Sequence, residues 1–114
     1  MKIPKEGKLL RIFIGEQDKW NHEPLHEAIV KLAKQEGLAG ATAIKGFLGF
    51  GCKSRMHTAK LLRLSEDLPI IIEIVDSEEN IQNFLPHLDE MVQEGLITLE
   101  KATVLMYRAD RPKE

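Results

Sequence analysis

The sequence predicts an α+β domain of the split βαβ type, with four antiparallel strands backed on one face by two helices. Three observations predict it. Two segments carry apolar residues at three- and four-residue spacing, and each follows a β-rich run. Between them, residues 70–75 form an almost wholly β-branched block, Ile-Ile-Ile-Glu-Ile-Val. Glycines and an Asp-Ser pair mark the joints.

Residues 9–14, Leu-Leu-Arg-Ile-Phe-Ile, are β-rich and stop at Gly15, which gives the first strand. A polar connection follows, and Pro24 suits the first position of a helix, where a missing N–H costs nothing. Leu25, Ala28, Ile29, Leu32 and Ala33 then form one apolar stripe, closed by Gly37 as a stop signal. Residues 41–50 read as a second strand weakened by its own glycines, and residues 61–64 resume an extended run. Residues 65–69 form a turn into the strand 70–75. Asp76 caps the next helix, with Glu79 completing a capping box.

Ile81, Phe84, Leu85, Leu88, Met91 and Val92 make the second amphipathic stripe, and Pro86 predicts a kink or two short helices. Gly95 ends this element, and residues 96–107 read as the last strand. The order strand–helix–strand–strand–helix–strand is the ferredoxin-like arrangement βαββαβ.

At 114 residues, 43% apolar and 30% charged, the chain is expected to form a single domain, 1–114, with 1–7 and 108–114 as tails. A net charge of −2 offers no bulk attraction to nucleic acid or to an anionic membrane. The start lacks a signal-peptide apolar region, no apolar run nears the roughly 20 residues that span a bilayer, and one cysteine suits a reducing compartment. A cytoplasmic location is the expectation.

The strand pattern also bears on assembly. In residues 70–75 one face presents Ile70, Ile72 and Ile74, and the other Ile71 and Val75 with only Glu73 polar. In the last strand Val104 and Met106 oppose Leu105 and Tyr107. A sheet wetted on one side should alternate apolar with polar. Its second face is therefore expected to be covered by further copies of the chain, making a homo-oligomer packed through its sheets.

Between Gly37 and Ser65 there is no Asp or Glu, while Lys45, Lys53, Arg55, Lys60 and Arg63 gather around Gly46, Gly49 and Gly51. Cations beside conformationally free backbone can grip an anion. The candidate ligand-binding residues are Lys45, Gly46, Gly49, Gly51, Lys53, Arg55 and His57, with Arg55 able to hold a phosphate or carboxylate bidentately. The spacing G-x-x-G-x-G matches neither a Walker loop nor the dinucleotide fingerprint, so a hairpin loop with a glycine bulge is the competing reading. Phe47, Leu48 and Phe50 serve either stacking or packing.

With these motifs in hand, the chain resembles the PII-like signalling proteins. Lys45-Gly46-Phe47, His57-Thr58 and the run from Leu68-Pro69 to Val75 carry that resemblance. More closely, it is similar to small bacterial and archaeal proteins grouped as domain of unknown function 190. The matching features are Gly15-Glu16, Asp18-Lys19-Trp20, Pro24-Leu25, Gly37-Leu38-Ala39-Gly40-Ala41-Thr42, Gly46-Phe47-Leu48-Gly49-Phe50-Gly51, Met56-His57-Thr58, Leu64-Ser65-Glu66-Asp67-Leu68-Pro69 and Glu73-Ile74-Val75-Asp76. The resemblance implies a trimer with an adenine nucleotide in the subunit cleft, and a loop at 51–58 that engages a protein target such as a membrane transporter. It places part of the nucleotide site at Gly46 to Gly51 and the rest in a glycine-rich loop after the second helix. Residues 93–98 depart from that pattern, with one glycine, and Tyr107 in the last strand does not match the loop tyrosine that some PII proteins modify.

Two other readings stand beside this one. Cys52 and His57, five residues apart, could hold a soft or borderline metal in the manner of CutA-type ion-stress proteins, although two ligands make a weak site. A ligand-free structural adaptor is the third. Trp20 is read either as a partner anchor or as a lid on the first helix. Glu66 and Asp67 are neighbours on a turn and face apart. No Ser, Cys or Thr has an identifiable base partner, so no enzyme is predicted.

Overall fold

The computed structural model describes residues 5–51 and 67–109. Its elements are β1 (Glu6–Gly15), β2 (Lys19–Trp20), β3 (Glu23–Pro24), α1 (Leu25–Gln35), β4 (Thr42–Lys45), β5 (Pro69–Asp76), α2 (Glu78–Met91) and β6 (Leu96–Thr103). The order β4-β5-β1-β6 forms one antiparallel sheet, and β2 and β3 form a small hairpin. The two long helices and four-stranded sheet are the α+β architecture that the sequence predicts.

Strand periodicity decides which side becomes core. Leu10, Ile12 and Ile14 of β1 alternate with half-buried neighbours, as do Ile70, Ile72 and Ile74 of β5. These six pack against Leu25, Ala28, Ile29 and Ala33 of α1 and Ile81, Phe84, Leu88 and Met91 of α2. Each fully buried Leu, Ile or Phe contributes roughly 1.5–3 kcal/mol. Trp20 is partly buried against this core, which selects the lid reading for it. Its hairpin turns through Asn21 (φ 48°) and His22 (φ 69°), residue types that tolerate positive φ. The Leu25 N–H donating to the Asp18 carbonyl (2.8 Å) and the Lys31–Glu23 ion pair (3.0 Å) bind the hairpin to α1.

The opposite face is organised in rows. Ile44, Ile71, Phe13 and Leu96 are successive cross-strand partners, so one apolar row crosses all four strands. The next row holds Thr42, Glu73, Arg11 and Thr98. Here Arg11 donates to Glu73 (3.0 Å) and diagonally to Glu100 (2.7 Å). The Glu73 hydrogen bond first, with the charges of both glutamates, holds the Arg11 pKa above its ordinary value. Leu9 and Val75 follow as an apolar pair.

Several boundaries differ from expectation for identifiable reasons. β1 starts at Glu6, inside the segment read as a tail, because Glu6 and Gly7 pair with Thr103 and Ala102. β6 stops at Thr103 rather than continuing to 107, since its partner β1 runs out there and Val104 N–H turns to the Lys5 carbonyl (2.7 Å). Val104, Leu105, Met106 and Tyr107 therefore do not form two strand faces, and Tyr107 instead donates to the Ala39 carbonyl (2.8 Å). β4 ends at Lys45, not 50, because β5 begins at Pro69; the Gly46 N–H closes the ladder on the Pro69 carbonyl (2.8 Å).

Pro24 precedes α1 as its N-cap rather than opening it. The α1 C-terminus closes with paired bonds, Gly37 N–H to Lys34 and Leu38 N–H to Ala33, with Gly37 at φ 80°. α2 is one helix through Pro86, not two. Its cap is Ser77, whose Oγ accepts from Asn80 N–H (3.1 Å), rather than Asp76. Asp76 is fully buried, accepting from Ala39 N–H (2.9 Å), Ser77 N–H (2.6 Å) and Asn80 Nδ2 (3.0 Å). The extended run 61–64 lies outside the described residues.

Candidate ligand site at one end of the sheet

Antiparallel pairing brings four connections to one end of the sheet. Gly15 opposes Pro69, Lys45 opposes Ile70, and Phe13 opposes Leu96. The exit of β1, the exit of β4, the entry to β5 and the turn between α2 and β6 thus meet there. Between them lies a cavity of about 410 Å³. Phe13, Ile14 and Gly15 supply one wall, Phe50 and Gly51 a second, Asp67 and Pro69 a third, and Glu94, Gly95 and Leu96 the fourth. Asp18 completes the lining.

Local chemistry explains why the walls come so close. A Cβ at Gly95 would lie 2.6 Å from the Phe13 carbonyl oxygen, so only glycine lets the turn after α2 press on β1. Added at Gly46, it would lie 2.9 Å from the Pro69 ring. The chain leaving β1 is held by the Glu16 N–H to the Leu68 carbonyl (2.8 Å) and the Gly15 N–H to Asp18 Oδ2 (3.0 Å). Gln17 N–H donates to Asp67 Oδ1 (3.0 Å), fixing that carboxylate against the β1 exit.

The described members of the expected ligand set lie around this end of the sheet. Lys45 pairs with Glu16 (2.9 Å), and the Gly46 N–H is used within the sheet. Gly51 lines the cavity, whereas Gly49 packs near Pro69. Lys53, Arg55 and His57, together with Cys52, lie outside the described residues. Phe47, Leu48 and Phe50 are exposed, at 86%, 62% and 76%. Among the described residues, the charged side chains of the lining are Asp18, Asp67 and Glu94.

Sequence reading missed Asp18, Asp67 and Glu94 as site residues. Asp67 was legible only as one of two turn neighbours, and Gly95 only as a helix stop. Counting which connections return to the same sheet end was the available signal. Among the described residues, no three His, Cys, Asp or Glu side chains gather closely enough to hold a metal ion. No helix among them is long and apolar enough to cross a membrane.

Comparison with known proteins agrees with this geometry. The DUF190 family model, described as Uncharacterized ACR, matches residues 7–104. A UPF0166 protein from Aquifex aeolicus is 37% identical over 105 residues, spanning 92% of this chain and 98% of the relative. One from Methanocaldococcus jannaschii is 42% identical over 95 residues, spanning 82% and 87%. Among solved structures, CPII from Thiomonas intermedia K12 bound to ADP, AMP and acetate aligns with a TM-score of 0.62 at 20% identity, over 91% of this chain and 92% of that one. The same protein bound to ADP and bicarbonate gives 0.63 at 21%, over 87% and 88%. A PII-like signalling protein from Thermus thermophilus gives 0.59 at 19%, over 87% and 89%. The sheet order and helix placement are those of the PII-like, ferredoxin-type fold, and the chain belongs to the DUF190/UPF0166 family.

Proposed function

We propose that this protein is a PII-like regulatory subunit, without enzymatic activity, that binds an adenine nucleotide in the cavity at the sheet end. One observation carries the reading: the base of the loop after β4, at Phe50 and Gly51, and the turn after α2, at Glu94 and Gly95, wall a single cavity. The neighbouring CPII structures bound to ADP and AMP supply the ligand class. The anionic end of the nucleotide would meet the basic segment that follows Gly51, where Lys53, Arg55 and His57 are the proposed contacts beside Lys45, Gly46 and Gly49. Differential contact with bound and free states of that segment would couple the ligand to a protein target, a membrane transporter being the class that PII-like proteins suggest.

Assembly belongs to the same reading. The row Ile44, Ile71, Phe13 and Leu96 crosses the helix-free face, with Ile44 44% and Leu96 56% exposed. Covering it with further copies, most simply as a cytoplasmic trimer, removes that apolar surface from water. Calorimetry with ATP, ADP, AMP and cyclic AMP tests the ligand. Micromolar to submillimolar binding of at least one is expected, and no heat at millimolar nucleotide refutes the reading.

A further inference from the structure

The end of the sheet opposite the cavity carries a second apolar feature. Beyond β6 the chain crosses that end, tied on one side by the Val104 N–H to the Lys5 carbonyl (2.7 Å) and on the other by Tyr107 Oη donating to the Ala39 carbonyl (2.8 Å). Gly7 seats it. Alternation along β1 puts position 7 on the helix-free side with Leu9 and Phe13. A Cβ there would lie 3.2 Å from Val104 Cγ2 and 3.2 Å from the Asp76 carbonyl oxygen. Glycine thus lets Val104 lie down on the helix-free face, and Gly7 is itself buried. The next two residues are bare: Leu105 is 90% exposed and Met106 65%. Apolar side chains on a segment anchored at both ends lose little freedom on docking.

The face that this segment joins indicates the partner. From Gly7 the helix-free side continues to Leu9 and Val75, then to Arg11 with Glu73 and Glu100, then to the four-strand apolar row. It carries both signs of charge, and Arg11 has donors beyond the Nε and Nη1 already engaged. A copy of the same face can therefore meet it with carboxylate against guanidinium. Four strands about 4.8 Å apart and about 27 Å long offer at most roughly 500 Å², below the roughly 800 Å² per partner of a standard interface. Resting on the assembly reading above, we infer that residues 104–107 make up this shortfall, with Leu105 and Met106 packing against a second copy of the chain. Gly7 and Tyr107 hold them in place for it.

Sedimentation equilibrium of the full chain tests this, with Leu105→Ser/Met106→Ser as the variant. Burying one Leu or Met side chain corresponds to roughly a tenfold change or more in an association constant. The double variant should therefore associate more weakly than wild type by about tenfold or more, while its circular dichroism spectrum stays folded. Leu105→Ser alone, at a side chain the fold leaves bare, should lose about threefold or more and keeps the test readable if the double variant unfolds. Leu48→Ser, 62% exposed near the other end of the sheet, should stay within about threefold of wild type. Association at wild-type strength in both the single and the double variant, or an equal loss in Leu48→Ser, overturns the docking role alone. A wild type that is monomeric at tens of micromolar overturns this inference and the assembly reading together.

Discussion

Asp76 is the residue whose loss should be felt most sharply. It is fully buried, and its carboxylate accepts from Ala39 N–H, Ser77 N–H and Asn80 Nδ2. It therefore joins the connection after α1 to the first turn of α2. Replacing Asp76 by Ala removes all three acceptor contacts. Leaving a buried donor unsatisfied costs about 1–3 kcal/mol, and the negative charge near a helix N-terminus adds about 0.3–1 kcal/mol. Some donors will find water, so a net loss of about 3–5 kcal/mol is expected, a large part of a small domain's stability. Asp76→Asn keeps the volume and one acceptor, and should lose about 1–2 kcal/mol. Urea unfolding followed by circular dichroism reads both variants, with Ser77→Ala as the reference at about 1 kcal/mol for the loss of a cap. An Asp76→Ala midpoint within about 1 kcal/mol of wild type at an unchanged slope would refute the assigned role.

Three further outcomes follow from the packing. Gly95→Ala should destabilise by about 1–3 kcal/mol through the 2.6 Å approach to Phe13 O and should weaken ADP binding, whereas Gly37→Ala, with open space but φ 80°, should cost about 1 kcal/mol and leave binding unchanged; thermal unfolding and calorimetry separate them. Phe13→Glu places a charge in the middle of the four-strand apolar row and should shift the assembly to monomer in sedimentation equilibrium; a wild type that is already monomeric at tens of micromolar removes the oligomer proposal. The hydrogen bond to Glu23, then its charge, raises the Lys31 pKa above its ordinary value, so this contribution is complete below that value and lost as pH rises through the raised one; the Trp20 ring-proton NMR signals should move across that alkaline range, and not in Lys31→Met.

Residues 9–14 and 70–75 show what local chemistry can decide. Their β-branched and alternating patterns determine the helix-facing side of this strand pair, because with a period of two any one-residue slip would turn Leu10, Ile12 and Ile14 away from the face that buries Ile70, Ile72 and Ile74. The apolar stripes of α1 and α2, and the stop at Gly37, were legible for the same reason: they depend on spacing along one segment. Family membership was legible too, since many short motifs occur in order.

Where strands end was not legible, because β4 and β6 stop when their partners do, at Pro69 and Glu6, and a partner's extent is a property of the pair. The cap of α2 moved from Asp76 to Ser77 because Ala39, 37 residues upstream, claims the aspartate. The cavity is tertiary throughout: Phe13, Phe50, Asp67 and Glu94 share walls only once the sheet has closed. A basic stretch can announce an anion from sequence alone. That Asp18, Asp67 and Glu94 line one neighbouring hollow emerges only from folding distant segments to one sheet end.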